Sequence, residues 1–295
     1  MPYSDEIRAL LDRLQEATGL RLRLEESRET DDPGATAEKL RNLLALTRSG
    51  RDKHAFLHRF LTEPLEEDQV RSGFARHHIR ADAPRALILV SFPDGSTDEA
   101  RRVLSSIFPR SRVSPLPIRR ESILLIVKDR FSDISSMVST LLDTMASEAM
   151  VPVKITYSDQ ARPMADLPAL YRDLLTSLSI GNTFYPQKQV YEAGSLGLAR
   201  LVYALPEAPC RRYLLEHFGT YDLGQLDPDT LRAIHTLFSN NLSLSETARR
   251  LFVHRNTLAY RLDKFQKASG LDVRDFDDAV TCRIGMMIWQ KLHRD

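Results

Sequence analysis

The stretch SLSETARRLFVHRNTLAYRLDKFQKASG, residues 243–270, decides the fold of the C-terminal third. Ser243 is followed three positions on by Glu246, the spacing of a capping box. In that motif the serine hydroxyl accepts from the Glu246 amide while the Glu246 carboxylate reaches back to the serine amide. The helix it opens is short, with Ala248 small and central and Leu251 apolar. Phe252, Val253 and His254 form the joint, and a second helix opens at Arg255-Asn256-Thr257. Two short helices, a tight joint and a small residue at the crossing make the helix-turn-helix pattern.

The second helix sorts its residues by face. At about 100° per residue, Leu258, Leu262 and Phe265 share one side and are expected to pack on the preceding helices. Asn256, Tyr260, Lys264 and Lys267 face the other way, flanked by Thr257 and Arg261. Arg255 stands at the helix start, where recognition helices meet base edges. Arginine donates in a bidentate fashion to guanine and asparagine pairs with adenine, whereas tyrosine and threonine more often hold phosphates. Arg249 and Arg250 on the first helix are placed as phosphate clamps, and Gly270 suits a left-handed C-cap with Leu271 folding back. The same periodicity also describes an amphipathic hairpin with a solvated basic face. Asp263, on the outer side, would repel phosphate. Spacing alone leaves both readings open.

Bulk properties narrow the field. The formal net charge is +1 over 295 residues, so nucleic-acid affinity must come from a local patch. Cys210 and Cys282 stand far apart without a C-x-x-C, which gives no thiolate metal cage and fits a reducing cytoplasm. The first residues lack a basic segment followed by an apolar run, so no secretory leader is expected. The apolar stretches 86–92 and 122–127 are too short to span a bilayer.

Outward from residues 243–270, the rest of 190–295 reads as helix, at 196–204, 209–218, 228–239 and 276–292, with 186–191 as connector. Residues 83–185 alternate strand and helix: RALILVSF at 85–92, a helix at 97–108, strands at 113–119 and 122–128, a helix capped by Asp133, PVKITY at 152–157 and a helix at 167–178. That order predicts a ferredoxin-like α/β sandwich, and the chain as a whole an α+β protein. Residues 1–82 are mostly helical, suited to dimerisation or sensing. Their helix ends at Gly19, a strand covers 20–24, Asp31–Gly34 form a loop, and a long helical pattern breaks near Ser49-Gly50 before a short helix at 66–77. These apolar stripes exceed what so short a segment can bury alone, which points to packing on the next domain or on a second subunit.

LSETARRLFVHRNTLAYRLDKFQKASGLDVRD resembles the C-terminal helix-turn-helix of the PucR/CdaR family of bacterial transcription regulators. The core from Val253 to Leu262 and the trailing Ser269-Gly270-Leu271-Asp272 carry the resemblance, which extends back through Tyr191-Glu192 and Leu196-Gly197-Leu198. In the similar helix-turn-helix of the Fis type, glycine occupies the place of Phe252, so this turn must accommodate a phenylalanine. The resemblance implies a regulator that binds double-stranded DNA, as a homodimer, in the cytoplasm. It implies contacts from Arg249, Arg250, His254, Arg255, Asn256, Thr257, Tyr260, Arg261 and Lys264. The middle region is similar to the degenerate GGDEF-like domain of that family, with Asp159–Arg162 and Tyr171-Arg172 at its end.

Catalytic readings find little. A diguanylate cyclase needs a Gly-Gly-acid-acid-aromatic turn, and the nearest glycine loop, Pro93-Asp94-Gly95-Ser96, is a simple turn before a helix. His54 and His58 have the i, i+4 spacing of a zinc pair but no third ligand, which favours a solvated helix face. Gly194-Ser195-Leu196-Gly197 lacks the nucleophile-elbow spacing and reads as a helix cap. No enzyme activity, cofactor or metal is expected, and a small-molecule effector is left open. The competing reading is a nucleotide-binding or turnover domain to which the helical half is an interaction module.

Overall fold

An apolar run without polar interruption is satisfied as a strand covered on both faces, and the middle of the chain has two of them. In the computed structural model, which describes residues 5–18, 33–92, 98–109, 111–119, 122–128 and 133–293, these runs pair. Strand β1 (Pro84–Ser91) lies antiparallel to β3 (Ser122–Val127), with Leu87 opposite Ile126 and Leu89 opposite Leu124. Strand β2 (Val113–Arg119) pairs with the other side of β3, placing Leu116 opposite Leu124. Every residue of β3 is buried. Pro115 and Pro117 fall on β2, which ends the strand order. A proline cannot donate to a ladder and is tolerated at such an edge.

The chain divides into two compact units, Met1–Pro152 with Gln160–Arg172, and Val153–Asp159 with Asp173–Asp295. In the first, helices α1 (Asp5–Thr18) and α2 (Pro33–Thr62) bury Ile7, Leu10 and Leu14 against Ala37, Leu40 and Leu44. These stripes cover each other, while the later part of α2 meets β2, in line with the expected packing on the next domain. Helix α2 runs unbroken through Gly50 and starts at Pro33, where a loop was expected. A lone glycine costs a helix only about 1 kcal/mol, and proline fits the first turn. Farther along α2, Phe56 and Phe60 pack on Phe74 of α3 (Glu67–Arg76). His54 is exposed as expected, whereas His58 is half-buried, with its Nε2 3.0 Å from the Ile118 carbonyl oxygen. Helix α4 (Asp98–Ser106) follows β1. After β3, α5 (Ile134–Thr144) is capped by Asp133, whose carboxylate accepts from the Ser136 amide, and continues as a π-turn over Met145–Ala149. Expected features at Gly19, 20–24, 31–32, 93–96 and 120–121 lie outside the described residues.

In the second unit, β4 (Lys154–Tyr157) pairs in parallel with a strand expected to be plain connector. The two-residue β5 (Arg162–Pro163) belongs to the first unit, where it pairs with β1. Helix α6 (Leu167–Phe184) runs past Gly181, where the flat face of Tyr191 takes the space a side chain would fill. Tyr191 sits on the partner of β4, β6 (Val190–Glu192). Helix α7 (Gly197–Ala204) follows, and α8 (Glu207–Phe218) packs on the last helix of the chain. Arg200 of α7 ties to Asp173 at 2.5 Å, to Ser177 Oγ at 2.6 Å and to the Ala193 carbonyl at 3.0 Å. The protein is thus mixed α+β, with a sheet in the middle of the chain and a helical C-terminal region.

Candidate nucleic-acid interface

The C-terminal helices begin with strong local signals. Asp227 caps α9 (Pro228–Ser239), accepting from the Thr230 amide at 2.9 Å and the Thr230 hydroxyl at 2.8 Å. These bonds hold the Asp227 carboxyl below its ordinary range. Asn241 and Leu242, both at positive φ, turn the chain into α10 (Leu244–Arg250). The Ser243 hydroxyl accepts from the Glu246 amide at 3.4 Å, as expected. The returning half of the capping box is not formed, because the Glu246 carboxylate pairs with Arg249 instead.

The joint between the helices is a Schellman turn. The Val253 amide donates to the Ala248 carbonyl at 3.0 Å, and the Phe252 amide to the Arg249 carbonyl at 3.2 Å. That motif puts its C′ residue in the left-handed region, where glycine is the unstrained choice. Phe252 occupies it at φ 55°, with 96% of its surface exposed.

Helix α11 (Arg255–Ser269) starts at an N-cap histidine: His254 Nδ1 accepts from the Asn256 amide at 3.2 Å. An accepting Nδ1 carries no proton, so the cap uses the neutral ring. The helix ends at Gly270, in the left-handed conformation at φ 82°, with its amide on the Gln266 carbonyl. Leu258, Leu262 and Phe265 are buried in one cluster with Ala233, Ile234 and Leu237 of α9, Ala248 of α10 and Cys282 and Met286 of α12 (Phe276–Leu292). Leu271 packs against the same cluster. Burial pushes the Cys282 thiol up to about 12.

The opposite face holds most of the residues singled out from the sequence. Arg249, Arg250, His254, Arg255, Asn256, Thr257, Tyr260 and Lys264 are all exposed. Arg250 Nη1 lies 3.4 Å from Asn240 Oδ1. Arg261 differs: it is half-buried and paired with Asp229 of α9 at 2.9 Å, so it helps seat the helix. Asp263 is not a bare charge on the outer face either. Arg274 donates to it at 2.7 Å, and also to Asp272 at 2.6 Å and Gln266 at 2.9 Å. Sequence reasoning missed this guanidinium, the His254 cap and the Glu246–Arg249 pair. Asp272 and Arg274 share a short loop that hinted at their pairing, but the bond to Asp263 spans 11 residues and has no local signal.

Chemically, the face offers cations, amide and hydroxyl donors and one exposed aromatic ring, with no carboxylate–imidazole or thiolate arrangement. Among the described residues, no group of three or more His, Cys, Asp or Glu could hold a metal ion, and no helix is long and apolar enough to cross a membrane.

The model of the PucR C-terminal helix-turn-helix domain matches residues 230–288, which span α9 to α12. The chain is 24% identical over 171 residues to the purine catabolism regulatory protein of Bacillus subtilis, covering 56% of this chain and 32% of that protein. It is 26% identical over 154 residues to the carbohydrate diacid regulator of Escherichia coli, covering 51% and 39%. A shorter match, 46% identical over 50 residues, links it to a leucine-rich protein of Streptococcus dysgalactiae subsp. equisimilis, covering 17% and 18%. The chain thus spans well under two thirds of each of these relatives. Capped, crossed and closed as the geometry above describes, residues 230–288 fold as a helix-turn-helix and match the PucR C-terminal type.

Proposed function

We propose that this chain is a sequence-specific DNA-binding transcription regulator, without enzymatic activity, that acts as a homodimer on a catabolic or metabolic operon in the cytoplasm. The observation that carries the reading is the division of α11. Its apolar stripe is fully committed to the core, while Arg255, Asn256, Thr257, Tyr260 and Lys264 are left exposed on a helix of the size that enters a major groove. Two similar proteins bear the names of regulators, which supports the regulatory half of the proposal. The proposed organisation is a helical region at 1–82, a domain of GGDEF-like descent at 83–185 and the DNA-binding region at 190–295. The dimer rests on the small number of bases one short helix can read. The mutual covering of α1 and the start of α2 leaves fewer apolar stripes to call for a second subunit.

In this reading Arg255 and Asn256 contact bases, each good bidentate pair contributing about 1–3 kcal/mol of discrimination. Thr257, Tyr260 and Lys264 hold phosphates, His254 fixes the helix start, and Arg249 and Arg250 clamp the backbone. The test is selection of binding sites from a random duplex pool, followed by titration of selected and scrambled duplexes at several salt concentrations. The expected result is enrichment of one motif and affinity that falls steeply with salt. Arg255→Ala should lose the preference for the selected duplex, and Arg249→Ala should weaken both duplexes alike. Absence of enrichment sinks the function, whereas equal losses in the Arg255 variant sink only the role of that residue.

A further inference from the structure

Within the second unit a cavity of about 380 Å³ opens beside α9, α12 and the end of α6. Sites for small organic molecules occupy roughly 300–1,000 Å³. Its floor is apolar: Phe184, Met286 and Met287 line it and all are buried. Its rim carries two exposed cations, Lys188 and Arg283, with His235 beside them. No carboxylate lies among the lining residues. The Lys188 ammonium rests 5.0 Å from the centre of the Tyr185 ring, which also lines the cavity. Partial burial and the neighbouring Arg283 guanidinium hold the His235 imidazole below its usual range, so at neutral pH it offers a neutral polar group beside two fixed charges.

An apolar floor under an uncompensated cationic rim selects a ligand by both ends. A neutral hydrocarbon leaves the rim without a partner. An inorganic anion gains nothing from the floor, and a cation is repelled. We propose that this cavity binds a small organic anion with an apolar body, its acidic group held between Lys188 and Arg283 and its hydrocarbon part over Phe184, Met286 and Met287. No residue of α10 or α11 lines the cavity. Met286, however, belongs to the buried cluster that seats Leu258, Leu262 and Phe265 of α11, so an occupant touches the core on which that helix rests. The site stands independently of the DNA-binding reading.

The test uses the full chain carrying ¹³C-methyl methionine, titrated with naphthalene-2-carboxylate and, separately, with its neutral isostere naphthalene-2-carboxamide. The carboxylate should shift the Met286 and Met287 methyl resonances saturably, leaving those of Met137 and Met164 in place. The carboxamide should bind at least about fivefold more weakly, since a charge-assisted bond is roughly twice as strong as a neutral one. Arg283→Gln and Lys188→Gln alter exposed side chains, so folding is preserved. Each should weaken the carboxylate by about fivefold and leave the carboxamide unchanged. Saturable shifts at other methionines only, equal affinity for the two probes, or carboxylate affinity untouched in both variants would overturn the proposal.

Discussion

Strand β3 and helix α11 bury their residues by opposite rules. All six residues of β3 are inaccessible, whereas α11 buries Leu258, Leu262, Phe265 and Ser269 out of fifteen and leaves one face to solvent. The strand has no position to spare, and anything it carries serves the core. The helix needs only its narrow stripe to stay in place, so its remaining positions are free to serve another molecule. A surface that is not needed for folding, and is still dense in arginine, lysine and amide groups, is where function can be sought.

That contrast can be broken most forcefully at the stripe itself. Phe265→Ala should cost about 3–5 kcal/mol and Leu124→Ala on β3 about 2–5 kcal/mol, read from denaturant unfolding of the full chain. A loss well under 1 kcal/mol at Phe265 would mean that α11 is held by something other than its apolar side. A smaller effect belongs to the cap of the helix beneath it. Asp227→Ala should cost about 1 kcal/mol. Because the folded carboxyl titrates below its ordinary value of 3.8, its contribution is complete above that pH and fades as pH falls through the folded value. The loss should therefore be present at pH 7 and shrink toward pH 2; a pH-independent loss would contradict the assigned bonds. Next comes the joint. Phe252→Gly should raise stability by about 1 kcal/mol, since glycine enters the left-handed region without strain. A decrease would show that the exposed ring has a partner within the chain. Smallest of all, Lys264→Ala should change stability by no more than about 0.5 kcal/mol, the usual range for a surface position. A larger loss would mean that the outward face is structural after all.

The same contrast explains what could be read from the sequence. Helices at 228–239, 255–269 and 276–292 end where their caps put them: Asp227 with Pro228, the Arg255 start, Gly270 and Asp275 are local chemistry written in adjacent residues. Strands β2 and β3 were legible from unbroken or alternating apolar runs. Features that depend on distant residues were not. The three residues of β6 pair with β4, more than thirty positions earlier, and carry no period of their own. The continuation of α6 through Gly181 depends on Tyr191, and the seating of Arg261 depends on Asp229. At the candidate interface, exposure of Arg255, Asn256, Thr257, Tyr260 and Lys264 follows from helical periodicity. Which cations are already engaged, as Arg249 and Arg261 are, required the fold.

The two cysteines have a use that their chemistry alone would not suggest. Cys210 and Cys282 are both fully buried but lie in different apolar clusters, one with Ala199 and Val202 of α7, the other beneath α11. With its thiol raised to about 12, Cys282 holds almost no thiolate at physiological pH, and thiolate is the form that alkylating reagents attack. Modification must wait for the surrounding helices to part. Each thiol is therefore a clock for the opening of its own cluster. Labelling rates measured peptide by peptide would time the seat of α11 separately from the packing around α7, with no change to the sequence.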